Sequence, residues 1–309
     1  MISFTDRLLD IYFRKILEAV AMLPSACSYS ILRHTGHIFR NFHNYACAYH
    51  PGVLVRAYHT LKEMNILPPE CNIMEFLQEL LRFESRFVME NIWVRKQDKR
   101  RIIESFHKKD ISDLEDIIGT RNYVIVSAHF PGIIDLVGLL RTLGYKATFV
   151  ASNAMNQPWG IATPMQRSLT VLFRSWMHHQ PLIFSDEKNI IDKCCNILVS
   201  QESVVMAADV PGYQGAKVSM FGKTLWVPAG SAIMAWKCKV PILVAIPWAS
   251  ACDKPYNIFL RTIPASQDSD AVMTKIFEYI ETVVRLNPAC WNGWLYFHQM
   301  LATYTAKDD

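Results

Sequence analysis

Apolar residues Phe4, Leu8, Ile11, Tyr12, Ile16, Val20 and Leu23 recur at helical spacing, with Asp6, Arg7, Asp10, Arg14 and Glu18 between them. This pattern predicts an amphipathic helix over 4–23. A second stripe, Phe76, Leu80, Phe83, Phe87, Val88 and Ile92, lies in a long amphipathic segment from about 73 to 106. Pro68-Pro69 stops any helix before it, because proline lacks the N–H that a helix interior needs. After Gly119 the period changes. Residues 123–128 form a short apolar run typical of a buried strand, 133–143 return to helical spacing, and 146–151 read as a strand again. Further strands are predicted at 181–185 and 203–208, separated by a helix near 189–198. Residues 216–220 and 224–227 flank Phe221-Gly222-Lys223, a hairpin turn. Strands at 240–246 and 257–263 complete the sheet, and 271–285 closes it as a helix. Strands alternating with helices imply the α/β class: a mostly parallel central sheet with helices on both faces and a helical N-terminal portion. With no internal repeat or long linker, the expectation is one domain over 1–309. It comprises a helical portion (1–118), an α/β core (119–265) and a C-terminal helical segment (266–309).

Composition narrows the class. A chain of 309 residues that is 51% hydrophobic and 12% aromatic can bury a large core, which excludes disordered and collagen-like proteins. The 32 basic and 28 acidic side chains leave a formal charge of +4, too mild to imply a nucleic-acid partner, so any basic effect must be local. The eight cysteines show no CxxC spacing, and Cys194 and Cys195 are adjacent. Neither a zinc ribbon nor a disulfide framework follows, and reduced cytosolic thiols are the expectation. Charges throughout the first turns argue against a signal peptide. The most apolar later stretch, 240–252, contains Pro241 and Pro247 and is too short to cross a bilayer as a helix, so no transmembrane span is expected.

The stretch YVIVSAHFPGIIDLVGLLRTLGY carries the candidate chemistry. His129 lies just past a predicted buried strand and Asp135 in the first turns of the next helix. In open α/β sheets, ligands bind beyond the carboxyl ends of the strands, so this placement brings an imidazole and a carboxylate towards the expected crevice. A carboxylate on one imidazole nitrogen fixes the tautomer and leaves the other as a base. The alternative is that His129 satisfies a strand-end carbonyl and Asp135 interacts with the amino-terminal dipole of its own helix. Asp209 ends another buried strand, where an acid is costly, and this favours a role in the site, as a substrate-binding residue, over mere turn formation. Arg167 and Arg174, seven residues apart on a predicted helix, are substrate-binding candidates that could hold phosphate groups; a solvated helix face is the competing reading. His178 and His179 are adjacent, so on a helix they point apart, and they are read as surface or structural rather than metal ligands.

Taken together, these residues resemble the lysophospholipid acyltransferase superfamily, specifically its lipid A late-acyltransferase branch. His129 and Asp135 are similar to the family's His-x4-Asp/Glu signature, with five residues, Phe130 to Ile134, where the family has four. The segment VVMAADVPGYQGAKVSMFGKTLWVPAGSAIMAWKCKVPILVAIP follows the family in order and character. It has Asp209 after a buried strand, Gly215, a hairpin at 218–222, a helix led by Gly230 and an apolar strand at 240–246. Asp209-Val210 stands where the family commonly has Asp-Gln. RLNPACWNGWLYFH resembles the family's Pro and aromatic pair near the carboxyl terminus, and the likeness covers about 75–298.

The resemblance implies transfer of an acyl group, with aminoacyl a variant, to a hydroxyl or amine of a lipid or lipid-like acceptor. The donor would be an acyl carrier protein or coenzyme A thioester. His129 would act as general base and Asp135 would stabilise its imidazolium. Backbone N–H groups of Gly132 and Ile133 are the oxyanion candidates, since Pro131 has none. No bound cofactor and no metal are expected. A thiolate of pKa about 8.5 leaves without a proton donor, so one base suffices. Lys99, Arg100 and Arg101 belong to a dense basic cluster that would attract an acidic carrier or anionic lipid at the cytoplasmic face of a membrane; a solvated helix is the simpler reading. A hydrolase of similar architecture would need a Gly-x-Ser-x-Gly elbow, which the chain lacks. A non-catalytic binding protein on the same fold is the remaining alternative, and the lengthened His129–Asp135 spacing is what favours it.

Overall fold

The computed structural model describes residues 11, 15–38, 51–151, 182–185, 187–212 and 215–301. Helices α1 (Leu17–Met22), α2 (Ser25–Ile38), α3 (Pro51–Glu63), α4 (Ile73–Arg95), α5 (Lys99–Glu104) and α6 (Lys108–Ile118) precede the sheet. The α/β part runs β1 (Val124–Ser127), α7 (Ile133–Thr142), β2 (Ala147–Ala151), β3 (Leu182–Phe184), α8 (Ile190–Val199) and β4 (Ser203–Ala207). It continues through the hairpin β5 (Ala216–Met220) and β6 (Lys223–Val227), then α9 (Gly230–Cys238), β7 (Ile242–Trp248) and β8 (Asn257–Ile263). Helix α10 (Ser269–Val284), a 3-10 turn (Pro288–Cys290) and α11 (Trp294–Met300) end the chain described.

The main sheet has strand order β3-β2-β4-β1-β7-β8, parallel except for the edge strand β8, which pairs antiparallel with β7. The class expected from the alternating pattern is the class observed. All four residues of β1, VIVS, are buried, as a central strand covered on both faces requires. The edge of β8 does not face solvent bare. Tyr256 N–H donates to Ser105 O at 2.7 Å and His107 N–H to Tyr256 O at 3.0 Å, so the segment after α5 blunts it.

Two sequence readings change. The amphipathic segment over 73–106 is not continuous. α4 stops at Arg95, Gln97 takes φ 54°, and Asp98 starts α5 by accepting the Arg101 N–H at 3.2 Å. An acid at this position caps a new helix more favourably than it continues an old one. The hairpin turn is also shorter than expected: Phe221 (φ 52°) and Gly222 (φ 72°) form it alone, and Lys223 already belongs to β6. Two consecutive positive φ values are what a two-residue turn needs to match the twist of its strands. Of the predicted helix over 4–23, Leu17–Met22 is helical, and residues 1–10 lie outside the described residues. Among the described residues no helix is long and apolar enough to cross a membrane.

α7 positions the chemistry. Ile133 to Leu140 are all buried, so this helix is enclosed on every side. Burying side chains such as Ile134, Leu136 and Leu139 contributes about 1.5–3 kcal/mol each and fixes the loop that leads into the helix. That loop is tight: Phe130 N–H reaches Ala128 O at 2.6 Å and Ile133 N–H reaches Phe130 O at 3.1 Å. Gly132 is required by close approach, because a Cβ there would lie 2.8 Å from Pro247 Cβ and 3.0 Å from the Tyr256 ring.

Candidate active site

β1 and β4 are parallel neighbours with Ser127 opposite Ala207. His129 lies two residues beyond Ser127 and Asp209 two beyond Ala207, so the register delivers both to the same level at the carboxyl ends of adjacent strands. The ladder extends past the strands through Ala208 N–H to Ser127 O at 2.9 Å. The Asp209 carboxylate then accepts the His129 backbone N–H (3.0 Å to Oδ1, 2.8 Å to Oδ2) and lies 2.8 Å through Oδ1 from His129 Nδ1. Trp291 Nε1–H donates to Oδ2 at 2.6 Å. Where Oδ1 accepts from Nδ1–H, the lone pair of the ring is on Nε2. The Asp209 side chain is fully buried while the His129 ring is 25% exposed, so the acid is enclosed and the base reaches the surface.

The expected partnership of His129 with Asp135 is therefore corrected: the imidazole is held by Asp209, which the sequence reading had placed in substrate binding. Asp135 enters the interior on the side of α4. It is fully buried. Burial, reinforced by the nearby Glu90 carboxylate and opposed by Arg86, pushes its pKa well above the ordinary carboxylate range. Asp135 thus faces the Arg86–Glu90 pair, while the imidazole is on Asp209. Glu90 and Arg86 form a buried pair at 2.8 Å, with Glu90 accepting the hydroxyls of Tyr29 and Tyr256 at 2.7 Å each. Arg86 also donates to Lys254 O at 2.5 Å and lies 3.6 Å over the Tyr256 ring. This cluster ties α2, α4 and the start of β8 behind the active-site loop.

A stability prediction follows from the Asp135 shift. The unfolded chain releases the Asp135 proton near pH 4, whereas the folded chain keeps it to higher pH, so the folded form is penalised increasingly as pH rises through that interval. Asp135→Asn fills the same volume and cannot ionise. Its thermal midpoint should exceed that of the native chain by a margin that grows as pH rises above about 4. A margin independent of pH, followed by calorimetry across the series, would contradict the assignment.

The remaining sequence candidates divide. Ile133 N–H is engaged by Phe130 O and is removed as an oxyanion donor. Arg101 is engaged within the chain: its guanidinium donates to Ala21 O and, at 3.1 Å, to Met22 O, capping the carboxyl end of α1, and it pairs with Asp98 at 3.3 Å. Arg100 is exposed and pairs with Glu104 at 2.7 Å. Lys99 lines a hollow of about 510 Å³ with Arg141 and Lys146 at the amino-terminal end of β2, the opposite end of the parallel strands from His129. Arg167 and Arg174, with His178 and His179, lie outside the described residues. Among the described residues no three His, Cys, Asp or Glu side chains gather to hold a metal.

Trp291 was missed as a site residue. Its only sequence signal was the aromatic pair near the carboxyl terminus, read as a family likeness without a function. For Asp209 the signal was present: an acid at the same offset beyond a buried strand as His129.

No curated protein matches the chain. Residues 74–303, most of the 309, match the family model described as bacterial lipid A biosynthesis acyltransferase, and the chain belongs to that family.

Proposed function

We propose that the chain transfers an acyl or aminoacyl group from a carrier-protein or coenzyme A thioester to a hydroxyl or amine of a lipid or lipid-like acceptor, with His129 as general base. The observation that carries this reading is the 2.8 Å contact between His129 Nδ1 and a buried carboxylate, on a ring that still reaches the surface. In the proposed reaction Nε2 takes the acceptor's proton as its oxygen or nitrogen attacks the thioester carbonyl. The carbon–sulfur bond then breaks and the thiolate departs, and the imidazolium returns its proton to thiolate or solvent. Asp209 stabilises the cation in between. The Gly132 N–H is the oxyanion candidate that remains. No cofactor or metal takes part in this scheme.

The extra residue between His129 and Asp135 had favoured a non-catalytic protein. With Asp209 in the pair, that spacing no longer bears on the dyad. Lys99 and Arg100 are proposed to meet the acidic carrier or an anionic membrane surface on the cytoplasmic side. The test is mass spectrometry after incubating the purified chain with palmitoyl-coenzyme A or an acyl carrier thioester and a total bacterial lipid extract. An acylated lipid is expected. Free fatty acid alone would replace transfer by hydrolysis, and neither product would leave a binding protein.

A further inference from the structure

The carboxyl-terminal segment touches the dyad twice. Trp291 Nε1–H lies 2.6 Å from Asp209 Oδ2, and Asn292 N–H donates to His129 O at 2.8 Å, so consecutive residues grip the acid by its side chain and the base by its backbone. Trp291 is fully buried, and its indole is fixed by neighbours rather than by chance. Its ring centroid lies 4.5 Å from that of Trp294 in an edge-to-face arrangement, and Phe221 at the hairpin tip stacks on Trp294 at 5.4 Å and 27°. Phe221 is itself held by its N–H on Glu281 Oε2 at 2.7 Å. A Cβ at Gly293 would fall 2.1 Å from Trp291 ring atoms, so the chain turns directly across the face of the indole.

The geometry points to Trp291 as a positioning residue that completes a His129–Asp209–Trp291 relay. The inference rests on the reading of His129 as base. Asp209 has two oxygens and three N–H groups converging on them: the His129 backbone, the His129 ring and the indole. The indole holds Oδ2 while the histidine ring is on Oδ1, and with the His129 backbone N–H it restrains the carboxylate from rotating about its last bond, which keeps Oδ1 on Nδ1. Burial makes this bond matter, since no water replaces the donor where the carboxylate is enclosed. Removing the N–H while keeping an aromatic ring frees that rotation, and the imidazole then divides between its two neutral tautomers.

Trp291→Phe tests this, with Trp294→Phe as the control. Trp294 lies in the same aromatic cluster and its indole donates to Pro288 O at 2.7 Å, so its replacement removes a comparable bond without touching Asp209. In full-length protein labelled with ¹⁵N-histidine, the native chain should show His129 with protonated Nδ1 and a pyridine-type Nε2. Trp291→Phe should show a mixture of tautomers, and Trp294→Phe the native pattern, at matched fractions folded. With palmitoyl-coenzyme A and the lipid extract, Trp291→Phe should lose about tenfold in kcat with KM unchanged, the size expected for one charge-assisted hydrogen bond. A native tautomer in Trp291→Phe, or an equal change in Trp294→Phe, would overturn the inference. If the native chain transfers nothing, the functional proposal fails alone, because the tautomer readout needs no turnover. Should Trp291→Phe not fold, Trp291→His, which restores an N–H on a smaller ring, should recover the native tautomer, and failure to do so in folded protein would count equally against it.

Discussion

Replacing His129 by alanine should abolish acyl transfer while leaving the protein folded. The ring is partly exposed, and the residue's structural bond is made by its backbone N–H to Asp209, which alanine retains. The expected loss is at least about 10²–10⁴-fold in kcat, the usual contribution of a positioned general base. Single-turnover mass spectrometry of the acylated product, beside a circular-dichroism melt, measures both. Near-native turnover in folded His129→Ala would remove the general-base assignment.

The second large effect is expected at Asp209. Asparagine keeps the shape but offers one acceptor oxygen where three N–H groups converge. Its amide nitrogen must then face a donor, and the imidazole is driven to the tautomer that places its proton on Nε2, where the acceptor's proton should go. By analogy with other histidine–carboxylate pairs, kcat should fall roughly 10³–10⁴-fold. Asp135→Asn, in contrast, should turn over at close to the native rate. Reversal of this order, with Asp135→Asn inactive and Asp209→Asn active, would return the dyad to the pairing read from sequence.

Much of the fold was legible because its cause is local. The apolar runs of β1 and β7 and the change of period after Gly119 report burial directly, and the strand ends fell within a few residues of those expected. The candidate base was also legible, since a histidine past a buried strand needs only that strand to be recognised. Its partner was not. Choosing between Asp135 and Asp209 depends on which strand lies beside β1, and that is set by a non-sequential strand order to which no short-range pattern refers. The spacing of His129 and Asp135 pointed to the near acid because they are close in sequence, whereas a helix buried on all sides carries Asp135 away towards Arg86 and Glu90. That cluster left its own trace, with Arg86 and Glu90 one turn apart among the apolar residues Phe83 and Phe87. The contacts of Arg101 were not legible for a similar reason: the carbonyls of α1 that it caps are remote in sequence.

The dyad and its tryptophan come from positions separated by 80 and 82 residues along the chain. During synthesis, His129 leaves the ribosome long before Asp209, and Trp291 follows near the end. A nascent chain therefore holds His129 without Asp209 until β4 has been made and docked, and holds the pair without its indole until the segment around Trp291 follows. A chain cut before Trp291 should therefore retain the contact between His129 and Asp209 and lose the indole that holds it in place.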